Sequence, residues 1–205
     1  MVRKSKEEAA KTRKEIIDAA RRVFHKNGVV RSTLEKIAKD AGVTRGAVYW
    51  HFKNKAELFF AMREEVFDTM LAGVDELLLF NQFADPLDAI EAALNEFFRV
   101  FQTSPLVREM FEIMISRCEY VDEFACIQEE VARPAREFLD KMVHVYQQAA
   151  SLGKLRKELD PFVTACDTWA FTTGLLHLLV GGKIGRGLSM QIREMIQVHM
   201  TLRRA

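Results

Sequence analysis

The sequence predicts an all-α protein, and three observations support that prediction. Apolar residues recur at three-to-four spacing along most of the chain, which is the period of a helix with one buried face. Four prolines and ten glycines among 205 residues leave few positions for the turns of a sheet protein. Helix-start patterns, in which a small polar residue precedes an acidic one, recur ahead of the apolar segments. We therefore expect helices joined by short connections, without strands.

Nine segments fit this helical pattern. Ser32 and Glu35 form a capping-box pattern, in which Ser32 caps a short helix. After a tight turn at Gly42, Thr44 can cap the next helix, and Pro86 stands at a first helical position, where its missing N–H is tolerated. The predicted helices span residues 6–27, 33–40, 45–50, 55–80, 86–102, 105–118, 122–151, 160–181 and 189–203.

Charge is distributed unevenly along the chain. The 30 Lys and Arg residues and the 29 Asp and Glu residues give a net charge of +1, which favours no particular partner. Residues 1–60 carry 15 basic and 7 acidic residues, whereas residues 61–205 carry 15 and 22. A basic end on an acidic body is typical of a protein that binds a polyanion at that end. We divide the chain into a basic domain, residues 1–55, and a larger domain, residues 56–205.

Several classes of protein are excluded by the composition. No run approaches the roughly 18 apolar residues of a membrane span, and the basic start continues into acidic residues unlike a secretory signal. Cys118, Cys126 and Cys166 are odd in number and widely spaced, which fits reduced thiols in the cytoplasm. The chain lacks zinc-ligand spacing, a nucleophile–histidine–acid order and a phosphate-binding glycine loop. We expect a cytoplasmic, non-enzymatic protein without a cofactor or a membrane partner.

Residues 32–55, STLEKIAKDAGVTRGAVYWHFKNK, are typical of a helix-turn-helix. Small residues allow two short helices to cross closely at Gly42, and the second helix turns polar and aromatic side chains outward. Arg45 can make a bidentate contact to guanine, and Ala47 can touch a thymine methyl group. Trp50 could lie outward or pack beneath the motif. The residues assigned to DNA contact are Ser32, Thr33, Thr44, Arg45, Gly46, Ala47, Tyr49, Trp50, His51 and Lys55.

The segment TRKEIIDAARRVFHKNGVVRSTLEKIAKDAGVTRGAVYWHFKNKAELF resembles the DNA-binding domain of the TetR family of transcriptional repressors. The string VTRGAVYWHFKNKAEL is especially similar to the AcrR-like branch, which represses multidrug efflux pumps. The resemblance is weaker at residues 111–120 and 174–175. It implies a protomer of nine helices, a homodimer joined through the last two helices, and an inducer pocket in the larger domain.

The larger domain is rich in Phe and Met, which usually form core but can also line a pocket for varied apolar ligands. On the helix at 160–181, polar side chains share a face with an aromatic one, and a buried polar group needs a partner from the protein or a ligand. His177 could be a core histidine that is hydrogen-bonded within the protein, or it could contact a ligand. The residues assigned to an apolar inducer are Phe97, Phe111, Trp169, Thr172, Thr173 and His177.

The helix-turn-helix, together with what the family resemblance implies, predicts a ligand-responsive repressor that binds a pseudo-palindromic operator in double-stranded DNA as a homodimer. An apolar small molecule would release it, and an efflux pump is the expected target of regulation. Two alternatives stay open: a ligand-independent DNA-binding protein and a thiol-based redox regulator.

Overall fold

The computed structural model describes residues 2–80, 83–119, 128–181, 187 and 189–205. Over these residues the chain forms nine α-helices and no strand, so the all-α prediction is confirmed. Residues 120–127, which include Cys126 and the predicted start of the 122–151 helix, lie outside the described residues. The helices are α1 Val2–Asn27, α2 Leu34–Ala41, α3 Arg45–His51, α4 Lys55–Asp75, α5 Pro86–Thr103, α6 Pro105–Ser116, α7 Gln128–Ser151, α8 Pro161–Val180 and α9 Ile192–Thr201.

The chain divides into two compact units. The first unit comprises Met1–Phe67 and Glu109–Val131, and the second comprises Asp68–Arg108 and Ala132–Ala205. Three helices, α4, α6 and α7, therefore contribute residues to both units. The functional division at residue 55 stays a prediction.

Polar side chains cap the first turn of four helices. Thr33 caps α2 by accepting the Lys36 N–H, so the prediction that Ser32 is the cap is wrong by one residue. Thr44 caps α3 as predicted. Asp85 and Asp160 cap α5 and α8, each of which has a proline in its first turn. Pairing these otherwise unsatisfied backbone donors fixes where each helix begins.

In the first unit, α1 packs against α2 and α3. The contact is apolar: Ile16, Phe24, Ile37 and Val48 are fully buried, and the Phe24 ring centroid lies 6.2 Å from that of Phe59. These residues recur at helical spacing, so each helix offers one apolar face.

In the second unit, α5, α7, α8 and α9 enclose a continuous apolar cluster. Its fully buried members include Ile90, Leu94, Met142 and Ile196. The helix predicted over 55–80 changes its winding near the end, because Glu76–Phe80 continues α4 as a π-helix.

Helix α8 is long and apolar enough to meet the length and composition criteria of a membrane span, contrary to the expectation from the sequence. It also packs in the core of the second unit, where Ala165, Thr168 and Leu175 are buried. Core helices of soluble proteins satisfy the same criteria.

Candidate nucleic-acid interface

The turn between α2 and α3 depends on a glycine. Gly42 has φ +68°, a left-handed conformation that is unfavourable for any residue with a Cβ atom. Its N–H is directed at the carbonyls of Ala38 and Lys39. Val48 is fully buried in α3 and Ile37 in α2, which anchors the inner faces of both helices. The opposite face of α3 is thereby fixed outward.

The outward face of α3 carries the polar and aromatic side chains that the sequence predicted. Thr44, Arg45 and Gly46 are exposed, and Ala47 is half-buried. Trp50 is 73% exposed, so it does not pack beneath the motif. An exposed tryptophan offers a large, partly polar surface for contact with a partner.

Arg45 is held in place by two neighbours. Its Nε lies 3.1 Å from Oε1 of Glu35, and its Nη2 lies 3.4 Å from the Tyr49 hydroxyl oxygen. The guanidinium carbon is 5.2 Å from the centroid of the Tyr49 ring. The Tyr49 hydroxyl, followed by Glu35, raises the pKa of Arg45 above its ordinary value. The guanidinium is charged and positioned before any partner arrives.

His51 lies at the end of α3, with its ring centroid 4.5 Å from that of Trp50 in an edge-to-face arrangement. Burial, assisted by the positive charge of Arg13, lowers the pKa of His51 below its ordinary value. The imidazole is therefore neutral near pH 7 and offers a ring N–H without a charge.

Two of the residues assigned to DNA contact are used within the protein. The Ser32 hydroxyl is buried and donates to the Gly28 carbonyl at 2.6 Å, which leaves it unavailable as a surface donor. The Lys55 ammonium lies 3.3 Å from the carbonyl oxygens of Val30 and Ser32. Thr33 remains exposed beside the start of α2.

Sequence reasoning missed Glu35 as a partner of Arg45, because it treated this acid only as part of a helix cap. It also missed Arg13, whose guanidinium carbon lies 5.2 Å from the centroid of the Phe52 ring. Both contacts join residues that are distant along the chain, Glu35 with Arg45 and Arg13 with Phe52, so residue spacing gave no signal for either.

The residues assigned to the inducer are divided between the two units. Phe111 is buried in the first unit, with its ring centroid 5.4 Å from that of Phe67. Trp169 and Phe97 pack against the core of the second unit. The structure thus assigns Phe111 to a different compact unit from the other five residues.

The polar residues of α8 differ in their surroundings. The Thr172 hydroxyl donates to the Thr168 carbonyl at 2.7 Å and is satisfied. The Thr173 hydroxyl oxygen is buried without a hydrogen-bond partner among the described residues. His177 is exposed, so the interpretation of this residue as a satisfied core histidine is wrong. Its contact with a ligand stays a prediction, but burial no longer argues for it.

The end of α6 is bound to α1 within the first unit. His25 Nε2 lies 2.7 Å from Glu112 Oε2, and the Val29 N–H donates to the Arg117 carbonyl at 2.8 Å. An ion pair joins Arg21 to Glu109. These contacts tie α6 to the helix that supports the helix-turn-helix.

Helices α8 and α9 leave an apolar surface open to solvent in the second unit. Its exposed members are Phe162, Val163, Leu178, Val198 and Leu202. An open groove of about 670 Å³ on α8 and α9 is lined by Phe171, Val198, His199 and neighbouring side chains. A surface of this kind marks a place where another molecule packs.

Comparison with known proteins agrees with this geometry. A family model described as bacterial regulatory proteins of the tetR family matches residues 16–62. The HTH-type transcriptional regulator TtgR of Pseudomonas putida is 37% identical over 179 residues, which cover 86% of this chain and 84% of TtgR.

Two solved structures share the fold over nearly the whole chain. NalD, the secondary repressor of the MexAB-OprM multidrug efflux pump in Pseudomonas aeruginosa, superposes with a TM-score of 0.80 at 27% identity, covering 97% of this chain and 98% of NalD. The SmeT–triclosan complex gives a TM-score of 0.79 at 30% identity, covering 95% of this chain and 92% of SmeT, the repressor of the Stenotrophomonas maltophilia pump SmeDEF. With relatives that span most of both chains, this protein belongs to the TetR family of bacterial regulatory proteins.

Proposed function

We propose that this TetR-family transcriptional regulator acts in the cytoplasm as a homodimer that binds a pseudo-palindromic operator and represses a multidrug efflux operon. The single observation that carries this proposal is the outward face of α3. Arg45, Tyr49 and Trp50 are exposed there on a basic helix-turn-helix, although Val48 of the same helix is fully buried. Arginine and aromatic side chains suit base edges and the sugar–phosphate backbone of a major groove.

The apolar surface of α8 and α9 supports the dimer. Val198 is 61% exposed and Leu202 is 57% exposed, so covering them with a second copy removes apolar area from water. A two-fold arrangement buries the same patch on both protomers. It also provides two recognition helices for half-sites about 34–36 Å apart or a multiple of that spacing.

An apolar small molecule is the proposed inducer. SmeT has been crystallised as a complex with triclosan, and that complex shares the fold of this chain. In this protein the Thr173 hydroxyl is a buried donor without a partner among the described residues, and it follows Trp169 by one helical turn. A ligand could accept a hydrogen bond from the Thr173 hydroxyl and pack its apolar part on Trp169. Such a ligand would pair the buried hydroxyl and fit the apolar surroundings of the site. We therefore assign the polar anchor to Thr173 in place of His177.

Release of DNA requires that the inducer favour a conformation unable to bind the operator. Helix α6 is suited to carry this change, because its last residues are bound to α1 through the pairs His25–Glu112 and Arg21–Glu109. A displacement of α6 would act on α1 and, through it, on the helices packed against α1.

The test uses the full-length protein and a duplex that it selects from a randomised DNA library. We expect sedimentation to show the dimer as the single species in solution. In gel electrophoresis the protein should retard the selected duplex, and triclosan should release that duplex from the protein. A monomer at micromolar concentration, or equal binding to a shuffled duplex, would overturn the proposal.

The same duplex separates the two alternatives. A ligand-independent DNA-binding protein would keep the duplex at every triclosan concentration. A thiol-based regulator, acting through Cys118 or Cys166, would release it under peroxide and regain it with a reductant. We expect release by triclosan and none by peroxide.

A further inference from the structure

Glu35 places a negative charge beside the surface proposed to meet DNA. It is the second residue of α2, and its Oε1 lies 3.1 Å from Nε of Arg45 at the start of α3. A carboxylate facing a phosphate backbone weakens association, since both are anions. Glu35 therefore has a cost for DNA binding in general, which calls for a compensating benefit.

The contact to Glu35 determines which part of the guanidinium is available. Nε faces the carboxylate, and Nη2 faces the Tyr49 hydroxyl at 3.4 Å. The Tyr49 ring contacts the guanidinium carbon at 5.2 Å. Glu35 and Tyr49 together hold a long side chain in one orientation, because they contact its Nε and Nη2 atoms. A guanidinium reads guanine through two N–H groups, which requires such a fixed orientation.

Glu35 is ionised wherever the protein is studied near neutral pH. Backbone hydrogen bonds, the Thr33 hydroxyl and the charge of Arg45 lower the pKa of its carboxyl group below the ordinary value. The ion pair is exposed, so its contribution to folding stability is small. Its effect must be sought in DNA recognition.

We propose that Glu35 is a positioning residue for sequence readout: it holds Arg45 against Tyr49 so that the guanidinium meets a base pair, and it opposes pairing of Arg45 with a phosphate. This inference rests on the proposed function, because it presupposes that α3 reads an operator. Without Glu35, Arg45 can turn to a phosphate oxygen, a contact that every DNA sequence offers.

The main test is Glu35→Gln, which keeps the size of the side chain but removes its charge. We expect binding to a shuffled duplex to tighten and binding to the selected operator to stay equal or weaken. The ratio of the two affinities should fall about fivefold, the scale of one exposed ion pair. Glu158→Gln removes the same charge from an exposed site in the second unit and should leave this ratio unchanged.

A base scan separates positioning from a merely structural role. Every base pair of the selected half-site is replaced in turn, and the pair at which Arg45→Ala loses its preference is taken as the pair read by Arg45. Glu35→Gln should relax the preference at that pair and at no other. Glu35→Asp keeps the charge but has a shorter reach, and should relax the same pair without tightening binding to the shuffled duplex.

The double variant completes the test. In the Arg45→Ala background, Glu35→Gln should cause no further loss of discrimination between the operator and the shuffled duplex. The melting temperature of the double variant should match that of Arg45→Ala. If Glu35→Gln lost preference at all base pairs, or still lost preference in the absence of Arg45, Glu35 would be a helix-capping residue. That result would overturn this inference but leave the proposed function intact. A wild-type protein that enriches no duplex would overturn the proposed function and this inference with it.

Discussion

Gly46 is the second residue of α3 and lies on its exposed face. A Cβ added there would meet only the Thr44 hydroxyl oxygen at 3.9 Å among the described residues, which is an ordinary contact. Gly46→Ala should therefore fold and gain up to about 1 kcal/mol from the better helix former. In the complex, however, the added methyl group would separate α3 from the groove. We expect an unchanged or raised melting temperature with about tenfold weaker operator binding, a loss of about 1.4 kcal/mol.

Gly42→Ala is the matched control for that measurement. Gly42 has φ +68°, so an alanine there is strained and should destabilise the fold by about 1 kcal/mol. Operator binding at a temperature where both variants are folded should be less affected by Gly42→Ala than by Gly46→Ala. Wild-type operator affinity in Gly46→Ala would show that α3 does not approach DNA closely.

At single residues, the sequence predicted what short-range patterns determine. The helical period predicted an outward polar and aromatic face for α3, where Arg45 and Tyr49 are indeed exposed. It left the position of Trp50 open, and the structure exposes that side chain. It placed the cap of α2 one residue early, since Ser32 and Thr33 have similar hydroxyl groups and only the fold directs the Ser32 hydroxyl to the Gly28 carbonyl. The contact between Glu35 and Arg45 depends on how two helices cross, which spacing alone does not give.

Helices α8 and α9 are joined by a buried polar network beneath their exposed apolar surface. Nε2 of His199 lies 3.1 Å from the Thr168 hydroxyl oxygen, which is itself 2.7 Å from the Tyr146 hydroxyl oxygen. The His199 ring stacks on Phe171 at a centroid distance of 4.0 Å. Burial, followed by the charge of Arg203, lowers the pKa of His199 from 6.5 to about 4. The folded chain thus requires a neutral imidazole.

This network makes stability sensitive to acid. Between pH 6.5 and about 4 the unfolded chain binds a proton that folded His199 does not, so the free energy of unfolding falls as the pH falls. The loss contributed by His199 should approach about 3 kcal/mol at pH 4 and be absent above pH 7. The free energy of unfolding, measured with urea at each pH, should therefore fall less across this range in His199→Gln than in the wild type, by that amount. His144→Gln, at an exposed histidine, should keep the wild-type slope, and equal slopes in all three proteins would contradict the assignment.

The junction of α6 with α1 provides a prediction about signalling. Glu109→Gln combined with Glu112→Gln removes the ion pair to Arg21 and the carboxylate contact to His25 from this junction without touching α3. Operator affinity without inducer should stay within about twofold of wild type, because exposed or partly exposed pairs contribute little to stability. The triclosan concentration that releases half of the operator should rise several-fold, as measured by fluorescence anisotropy. An unchanged midpoint would show that α6 does not carry the signal through these pairs.

At the scale of elements, helix boundaries were predicted well where a cap or a proline marks them. Helix α5 begins at Pro86, as its Asp-Pro pair predicted, and α8 begins at Pro161, one residue after the predicted start. The π-helical end of α4 at Glu76–Phe80 was not predicted, because its apolar pattern fits an ordinary helix. The exposure of His177 was missed for a related reason: α8 is apolar on more than one side, so its sequence does not mark the buried face.

For the whole molecule, dimerisation should determine operator affinity. Val198→Glu places a charge in the apolar surface of α8 and α9, and we expect a monomer by sedimentation that keeps its helical content. Joining two half-sites in one dimer raises affinity by about 10²–10⁴ over a single site, so operator binding should fall on that scale. Gln147→Glu, at an exposed position of α7, should stay dimeric and bind normally. A Val198→Glu dimer with wild-type affinity would place the interface elsewhere.

The most direct test of the central claim, that the outward face of α3 reads the operator, compares Arg45→Ala with Lys157→Ala. Each variant removes one exposed positive charge, from α3 and from the second unit respectively. Their affinities for the selected operator and for a shuffled duplex are measured at matched salt concentration, because phosphate contacts make every affinity salt-dependent. Arg45→Ala should lose about 1–3 kcal/mol on the operator and much less on the shuffled duplex, while Lys157→Ala should match wild type on both. Equal losses by Arg45→Ala on the two duplexes would contradict sequence readout by α3.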